Sequence, residues 1–213
     1  MKRGCFITLE GMEGCGKSTQ IRLLAQALEA ASYPVRITRS PGGTPVAETI
    51  RTLLKQGVEG EELLPETELL LFGACHAQMT AHLVKTELEK GTILISDRFY
   101  DSTTAYQGYA RKMDPELVRK INEFACKNIK PDLTLILDLD PEEGIRRSVQ
   151  RGGAENDRFD SEKMEFHHAV RNAFLDMARK EKERFCVIDA SRTAEEVHRD
   201  IMEAVHAGLE KLR

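Results

Sequence analysis

The sequence predicts an α/β fold of three layers, a five-stranded parallel sheet with helices on both faces and a short lid. Three observations carry this expectation. Short β-branched runs alternate with longer amphipathic stretches, as parallel strands joined by crossover helices require. The runs are nearly all apolar rather than alternating, so both faces of each strand must be covered. Glycine and proline punctuate the joins, at Pro34, Pro41-Gly42-Gly43, Gly57, Pro65, Gly91, Pro115, Pro131 and Pro141.

Taken in order, the strands are expected at 5–9, 35–38, 92–96, 133–137 and 185–188. Helical periodicity covers about 17–31, 46–56, 66–90, 114–128, 141–150, 161–182 and 193–211. A polar, glycine-containing stretch at 150–162 joins two of these helices and is the candidate lid. The 213 residues fit one domain over 1–213, at about 150 residues per domain. Folding at this size buries on the order of 70% of the chain's surface, so no disulfide or metal staple is needed.

Composition narrows the function. No uncharged apolar run approaches the ~18 residues of a membrane helix, and the start, Met1-Lys2-Arg3 before five apolar residues, is too short for a secretory signal. A cytoplasmic protein without membrane attachment is expected. The balance of 31 basic against 35 acidic residues, net −4, disfavours wrapping a nucleic-acid backbone. The five cysteines are scattered and never spaced Cys-x-x-Cys, which reads as reduced thiols.

The chemistry begins at Gly11-Met12-Glu13-Gly14-Cys15-Gly16-Lys17-Ser18, which fits G-x-x-x-x-G-K-[ST] between an apolar strand and an amphipathic helix. Such a loop curls its N–H groups onto phosphate oxygens, with the helix start, here reaching Thr19, adding its positive end. Lys17 is expected on the β- and γ-phosphates of a nucleoside triphosphate and Ser18 on Mg²⁺. At the end of another buried strand, Asp97 is placed to hold Mg²⁺ and Arg98 to grip a phosphate. Asp138 and Asp140 are the second choice for the metal, because Pro141 starts a helix that Asp140 would cap.

No Asn/Thr-Lys-x-Asp segment of a GTPase is present, and the chain is short for a motor. A small kinase remains, with cations for a second phosphate-bearing substrate at Arg39, Arg51, Arg98, Arg151 and Arg158.

The motifs Phe6-Ile7-Thr8-Leu9-Glu10-Gly11-Met12-Glu13-Gly14, Thr38-Arg39-Ser40-Pro41-Gly42-Gly43-Thr44, Asp97-Arg98-Phe99, Ala105-Tyr106-Gln107-Gly108 and Pro131-Asp132-Leu133-Thr134 resemble bacterial thymidylate kinases, in order and over nearly the whole chain. The resemblance implies transfer of the ATP γ-phosphoryl group to dTMP with Mg²⁺, giving dTDP for dTTP synthesis, by a homodimer. It places Glu13 near the sugar 3′-hydroxyl and the metal, Arg51 and Arg98 on the monophosphate, Phe72 stacked on the base and Tyr106 against the 2′ carbon. Ser102, Thr103 and Gln107 fall on the loop completing the base and sugar site. Because position 15 is Cys rather than basic, the catalytic arginine passes to the lid, at Arg151 and Arg158.

The chain departs from the family pattern twice. Ser40 stands where the family carries Glu, which removes a charge beside the metal and phosphate region. His76 stands where it carries an arginine that donates to thymine O4. Phe72 and His76 are four apart on one helix face, so both can look into one pocket. A neutral imidazole can donate one hydrogen bond, and, where residue 76 faces thymine, arginine restored there is expected to raise dTMP affinity. The alternatives are a kinase for another (deoxy)nucleoside monophosphate and a noncatalytic nucleotide-binding module.

Overall fold

The computed structural model describes residues 3–150, 158–159 and 162–211. Its strands are β1 (Phe6–Gly11), β2 (Val35–Arg39), β3 (Ile93–Asp97), β4 (Leu133–Asp138) and β5 (Phe185–Asp189). They form one sheet in the order β2-β3-β1-β4-β5, every pairing parallel. The helices are α1 (Lys17–Ala30), α2 (Pro45–Gln56), α3 (Pro65–Met79), α4 (Lys85–Glu89), α5 (Tyr100–Thr103), α6 (Pro115–Cys126), α7 (Pro141–Gln150), α8 (Met164–Lys180) and α9 (Ala194–Lys211). All five predicted strands are present, each within one or two residues at its ends.

Successive side chains of a strand point to opposite faces, and this alternation makes the layers. Ile7 and Leu9 of β1, Ile93 and Ile95 of β3, and Leu133, Leu135 and Leu137 of β4 pack with Leu24 and Leu28 of α1 and Ile201 and Val205 of α9. On the other face, Phe6 and Leu94 meet Met79 and Val84, while Ile136 meets Val170 and Phe174 of α8. Among the described residues no helix is long and apolar enough to cross a membrane.

Two stretches differ from the sequence expectation. The helix expected at 66–90 is α3 and α4 joined by a π-helical turn, Thr80–Val84. The segment after β3, expected as a loop, is α5 continuing into a π-helical stretch, Thr104–Ala110. Its threonines, aromatics and glycine are weak helix formers. Packing supplies what propensity does not, since Ala105 and Tyr106 lie against Phe166, Val170 and Phe174 of α8. Of the expected lid at 150–162, positions 151–157 and 160–161, Arg151 included, lie outside the described residues.

Candidate active site

β1 is the central strand, so the loop after it emerges at the carboxyl edge of the sheet beside the ends of β3 and β4. The turn needs glycine at Gly11, Gly14 and Gly16, whose φ angles are 138°, 75° and 93°. Gly14 also lies against α7: a Cβ there would sit 2.0 Å from the Gly144 carbonyl oxygen, and one on Gly144 2.6 Å from that of Glu13. α1 then starts at Lys17 with no side-chain cap and no acid in its first turn. Its leading N–H groups and positive end are left for an anion.

Lys17 is buried and spends its three donors on the loop, on Gly11 O at 3.0 Å, Met12 O at 2.9 Å and Cys15 Sγ at 3.6 Å. Burial works against its charge, but Cys15, Glu13 and Asp97 hold its pKa above the ordinary value. Glu13 is drawn down to about 2, first by Lys17 and then by Arg98. Arg98 Nη2 donates to Glu13 Oε1 at 2.8 Å, and Nη1 to Ser102 Oγ at 3.1 Å. Arg98 holds φ at 68°, an uncommon value for a side-chain-bearing residue, with its carbonyl accepting from Ser96 Oγ at 2.6 Å. The phosphate loop and the arginine after β3 are thus tied directly together.

A cavity of about 420 Å³ opens between these elements. Glu13, Gly14, Gly16, Lys17 and Ser18 line one side with Asp97 and Arg98. Arg39 and Arg51 line it from β2 and α2, Arg39 also paired with Glu48 at 2.8 Å and Arg51 donating to Pro41 O at 2.9 Å. Phe72 and His76 of α3 also line it, with Ser102, Thr103, Tyr106 and Gln107; Arg98 stands over the Tyr106 ring, 5.3 Å from its centroid. Cations therefore share the lining with rings and small polar groups, a set that suits a nucleoside monophosphate. Gly11, Met12, Cys15 and Thr19 belong to the loop and its helix without lining the cavity.

The two alternative metal acids are engaged elsewhere. Asp138 is held bidentately by Arg171 at 2.7 and 2.9 Å, and Asp140 accepts from the Glu142 N–H at 3.2 Å, the expected cap. Asp97, by contrast, lines the cavity with Oδ1 buried and without a hydrogen-bond partner among the described residues.

Three placements differ from the sequence reading. Arg158 is not in the cavity lining: its guanidinium donates to Glu68 Oε2 at 2.5 Å and reaches Leu54 O and Leu63 O at 3.4 Å. Glu68 is fully buried, and an enclosed carboxylate recruits whatever cation is within reach. Its other partners are Gln107 Nε2 at 2.6 Å and Arg111 at 3.4 Å. Ser40 turns its hydroxyl to Nδ1 of His76 at 3.2 Å, so this departure is packed against α3. Thr103 and Gln107 sit on the helical stretch rather than a loop.

The structure adds residues that sequence reasoning missed. Phe159 lines the cavity, 6.2 Å from Phe72 and edge-on to Tyr106 at 5.7 Å between ring centroids. Its aromatic character within the polar lid stretch was the available signal. Lys55 and Ser148 also face the cavity, and no sequence signal marks them. Glu10 at the end of β1 takes the Phe99 N–H at 2.7 Å and the Ser102 hydroxyl at 2.6 Å, fixing the segment that carries Arg98 and Ser102.

A phosphate loop on the central strand, an acid ending the adjoining strand with an arginine just after it, and a cavity lined by cations, rings and small polar groups define a P-loop nucleoside monophosphate kinase. Within that class the chain belongs to the thymidylate kinase family, whose model matches residues 9–201. It is 43% identical over 210 residues to the thymidylate kinase of Geotalea uraniireducens, covering 97% of this chain and 98% of that one. The thymidylate kinase of Desulfosudis oleivorans is 47% identical over 197 residues, covering 90% and 92%. The fold matches the crystal structure of thymidylate kinase from Ehrlichia chaffeensis with a TM-score of 0.76 at 34% identity, over 95% of this chain and 99% of that one.

Proposed function

We propose that this chain transfers the γ-phosphoryl group of ATP to the phosphate of dTMP, giving dTDP for dTTP synthesis. The observation that carries the reading is the single cavity joining the phosphate loop and Arg98 to Phe72, His76 and Tyr106. ATP lies along Gly11 to Thr19, where its phosphates take over the Lys17 donors now spent on backbone carbonyls. The dTMP phosphate takes Arg39, Arg51 and Arg98, and its base lies on Phe72 with His76, Ser102, Thr103 and Gln107 around it. Tyr106 crowds the 2′ carbon.

A phosphate monoester has its second pKa at about 6, so the attacking oxygen is largely ionised at neutral pH and needs no general base. The chain's task is alignment and charge neutralisation. Lys17 and Arg98 do this from the loop and β3, and Glu13 orients Arg98 through the 2.8 Å contact. Arg151 and Arg158 supply the lid cations, which requires Arg158 to leave Glu68. A cation in the arginine-finger role is worth on the order of a thousandfold or more in kcat. The donor set suits Mg²⁺: Ser18 and Asp97 face one cavity, and Asp97 Oδ1 is a buried oxygen without a hydrogen-bond partner among the described residues. Held by Ser18 and Asp97, the ion would supply positive charge to neutralise the triphosphate.

The chain is read as a single domain, one sheet edge serving both substrates, acting in the cytoplasm as a homodimer. Exposed Leu70 on α3, and Leu117 and Phe124 on α6, which packs against α3, favour the dimer. The test is ADP release with Mg·ATP and a panel of dTMP, dUMP, UMP, dCMP, dGMP and AMP. Fast turnover with dTMP, slower with dUMP and negligible with the others is the expected result. Preference for another base overturns the substrate, and silence throughout overturns the enzyme.

A further inference from the structure

Lys55 lines the cavity, and none of the roles given above uses it. Helical geometry carries it there. Arg51 and Lys55 are four apart on α2, so they share one face and stand about one turn, roughly 5.4 Å, from each other. Both are half-buried and Leu54 between them is buried, while Thr52 and Gln56 are exposed. The two cations serve different parts of the lining. Arg51 donates to Pro41 O at 2.9 Å, beyond the end of β2. Lys55 acts on the phosphate loop: the Glu13 carboxyl is drawn down by Lys17, then by Arg98, and Lys55 adds to both. Cations from three separate elements thus bear on the one carboxylate of that loop. Arg158 N–H reaches the Lys55 carbonyl at 3.4 Å, but the Arg158 guanidinium is held by Glu68 and does not line the cavity. Lys55 lines it as the structure stands.

We propose that Lys55 is a further catalytic residue, its ammonium meeting the phosphoryl group in transit from ATP to the acceptor phosphate. In that transfer an acceptor oxygen bonds to the γ-phosphorus as the bond to the β,γ-bridging oxygen breaks, and ADP leaves with that electron pair. No proton is exchanged with the chain. Aligned reacting atoms lie about 3–3.5 Å apart, so the two phosphorus centres are a few ångströms from each other. One turn of α2 spans that separation, with Arg51 on the acceptor phosphate and Lys55 beside the group moving toward it. Charge spreads over the equatorial oxygens of that group in the transition state, and a cation already in place stabilises it without reorganisation. An ammonium suits the task, being a compact charge on a flexible stem that can follow oxygens as they shift. Because α2 supplies it, this contribution does not wait for Arg158 to leave Glu68.

This inference rests on the kinase reading above, and the test separates the two. Wild type, Lys55→Met and Lys55→Arg are compared in single-turnover transfer from Mg·ATP to the monophosphate that wild type uses best. Half-saturating concentrations of both substrates and Tm are measured alongside. Lys55→Met should slow transfer at saturation by about tenfold to a hundredfold, as for one charged hydrogen bond made in the transition state. Half-saturation for ATP and for the acceptor should each move by less than about twofold. Lys55→Arg, which keeps the charge, should recover most of the rate. A wild-type transfer rate in Lys55→Met overturns the proposal, whatever happens to Tm or to acceptor half-saturation. Equal losses in Lys55→Met and Lys55→Arg overturn it too, because the charge would not be what acts. A wild type that prefers a monophosphate other than dTMP overturns the substrate alone, since Lys55 is then tested on that monophosphate. A wild type silent with every monophosphate overturns both.

Discussion

Arg158 Nη2 lies 2.5 Å from Glu68 Oε2, joining the segment between α7 and α8 to a fully buried carboxylate on α3. Arg111 bridges the same carboxylate, at 3.4 Å, to Glu162, at 2.6 Å, so Arg158 directly and Glu162 through Arg111 are anchored to one acid. Phe159, next to Arg158, is thereby held over the cavity between Phe72 and Tyr106. Arg158→Ala is expected to lower stability by about 2 kcal/mol, a fall in Tm of roughly 4–8 °C, because a charged hydrogen bond to Glu68 is lost. In a Glu68→Gln background the same change should cost less, since a neutral amide needs no counter-charge. Kinetically, kcat should fall far more than ATP binding weakens. Unchanged Tm together with wild-type kcat would reject both roles.

The pairing of Ser40 with His76 reverses the sequence expectation for arginine at position 76. His76→Arg places a guanidinium where burial is complete and the neighbouring side chains offer only hydroxyls. An unpaired buried charge is costly. The single substitution is therefore expected to raise KM for dTMP and lower Tm, whereas Ser40→Glu with His76→Arg supplies both charges and recovers most of the loss. Additive effects in this double-mutant cycle would show the positions to be independent.

Glu10 provides a pH signature. Burial, with the Asp101 charge, raises its pKa to about 8, against the opposing pull of Arg98, the Ser102 hydroxyl and the Phe99 N–H. In the unfolded chain the same carboxyl ionises near 4.5. Between these values the folded state keeps a proton that the unfolded state has released, so this group's contribution to stability declines as pH rises through that window. Glu10→Gln should accordingly gain on wild type in Tm between about pH 5 and about pH 8. A Tm difference that does not change with pH would show Glu10 to be ionised in the folded protein across the range.

Gly144 supports the phosphate loop from outside it. A methyl group there meets the Glu13 carbonyl oxygen at 2.6 Å, too close without moving the loop. Gly144→Ala is expected to raise KM for ATP by tenfold or more, about 1.4 kcal/mol, while KM for dTMP changes less. Equal changes in both constants, or none, would show that α7 can yield without disturbing the loop.

The amino-acid order alone determined the strands, the phosphate loop and most of the residues that line the cavity. Buried parallel strands must be continuously apolar, and a loop that wraps phosphates must place Gly14, Gly16, Lys17 and Ser18 at fixed spacing, so these features are local and readable. Phe72 and His76 are legible as a pair because helical periodicity puts them on one face. What lay beyond the sequence were contacts between distant segments. Arg158 reads as a free lid cation until the fold brings Glu68 beside it, 90 residues away in the chain. Ser40 reads as a lost charge near phosphate until the end of β2 is set against α3, where its partner is His76. The helical stretch after β3 contradicts its own weak propensity because α8 packs on it. Spacing decides chemistry along one element. Only tertiary packing decides which buried polar groups become each other's partners, because burial obliges each to find one and the sequence does not say which is near.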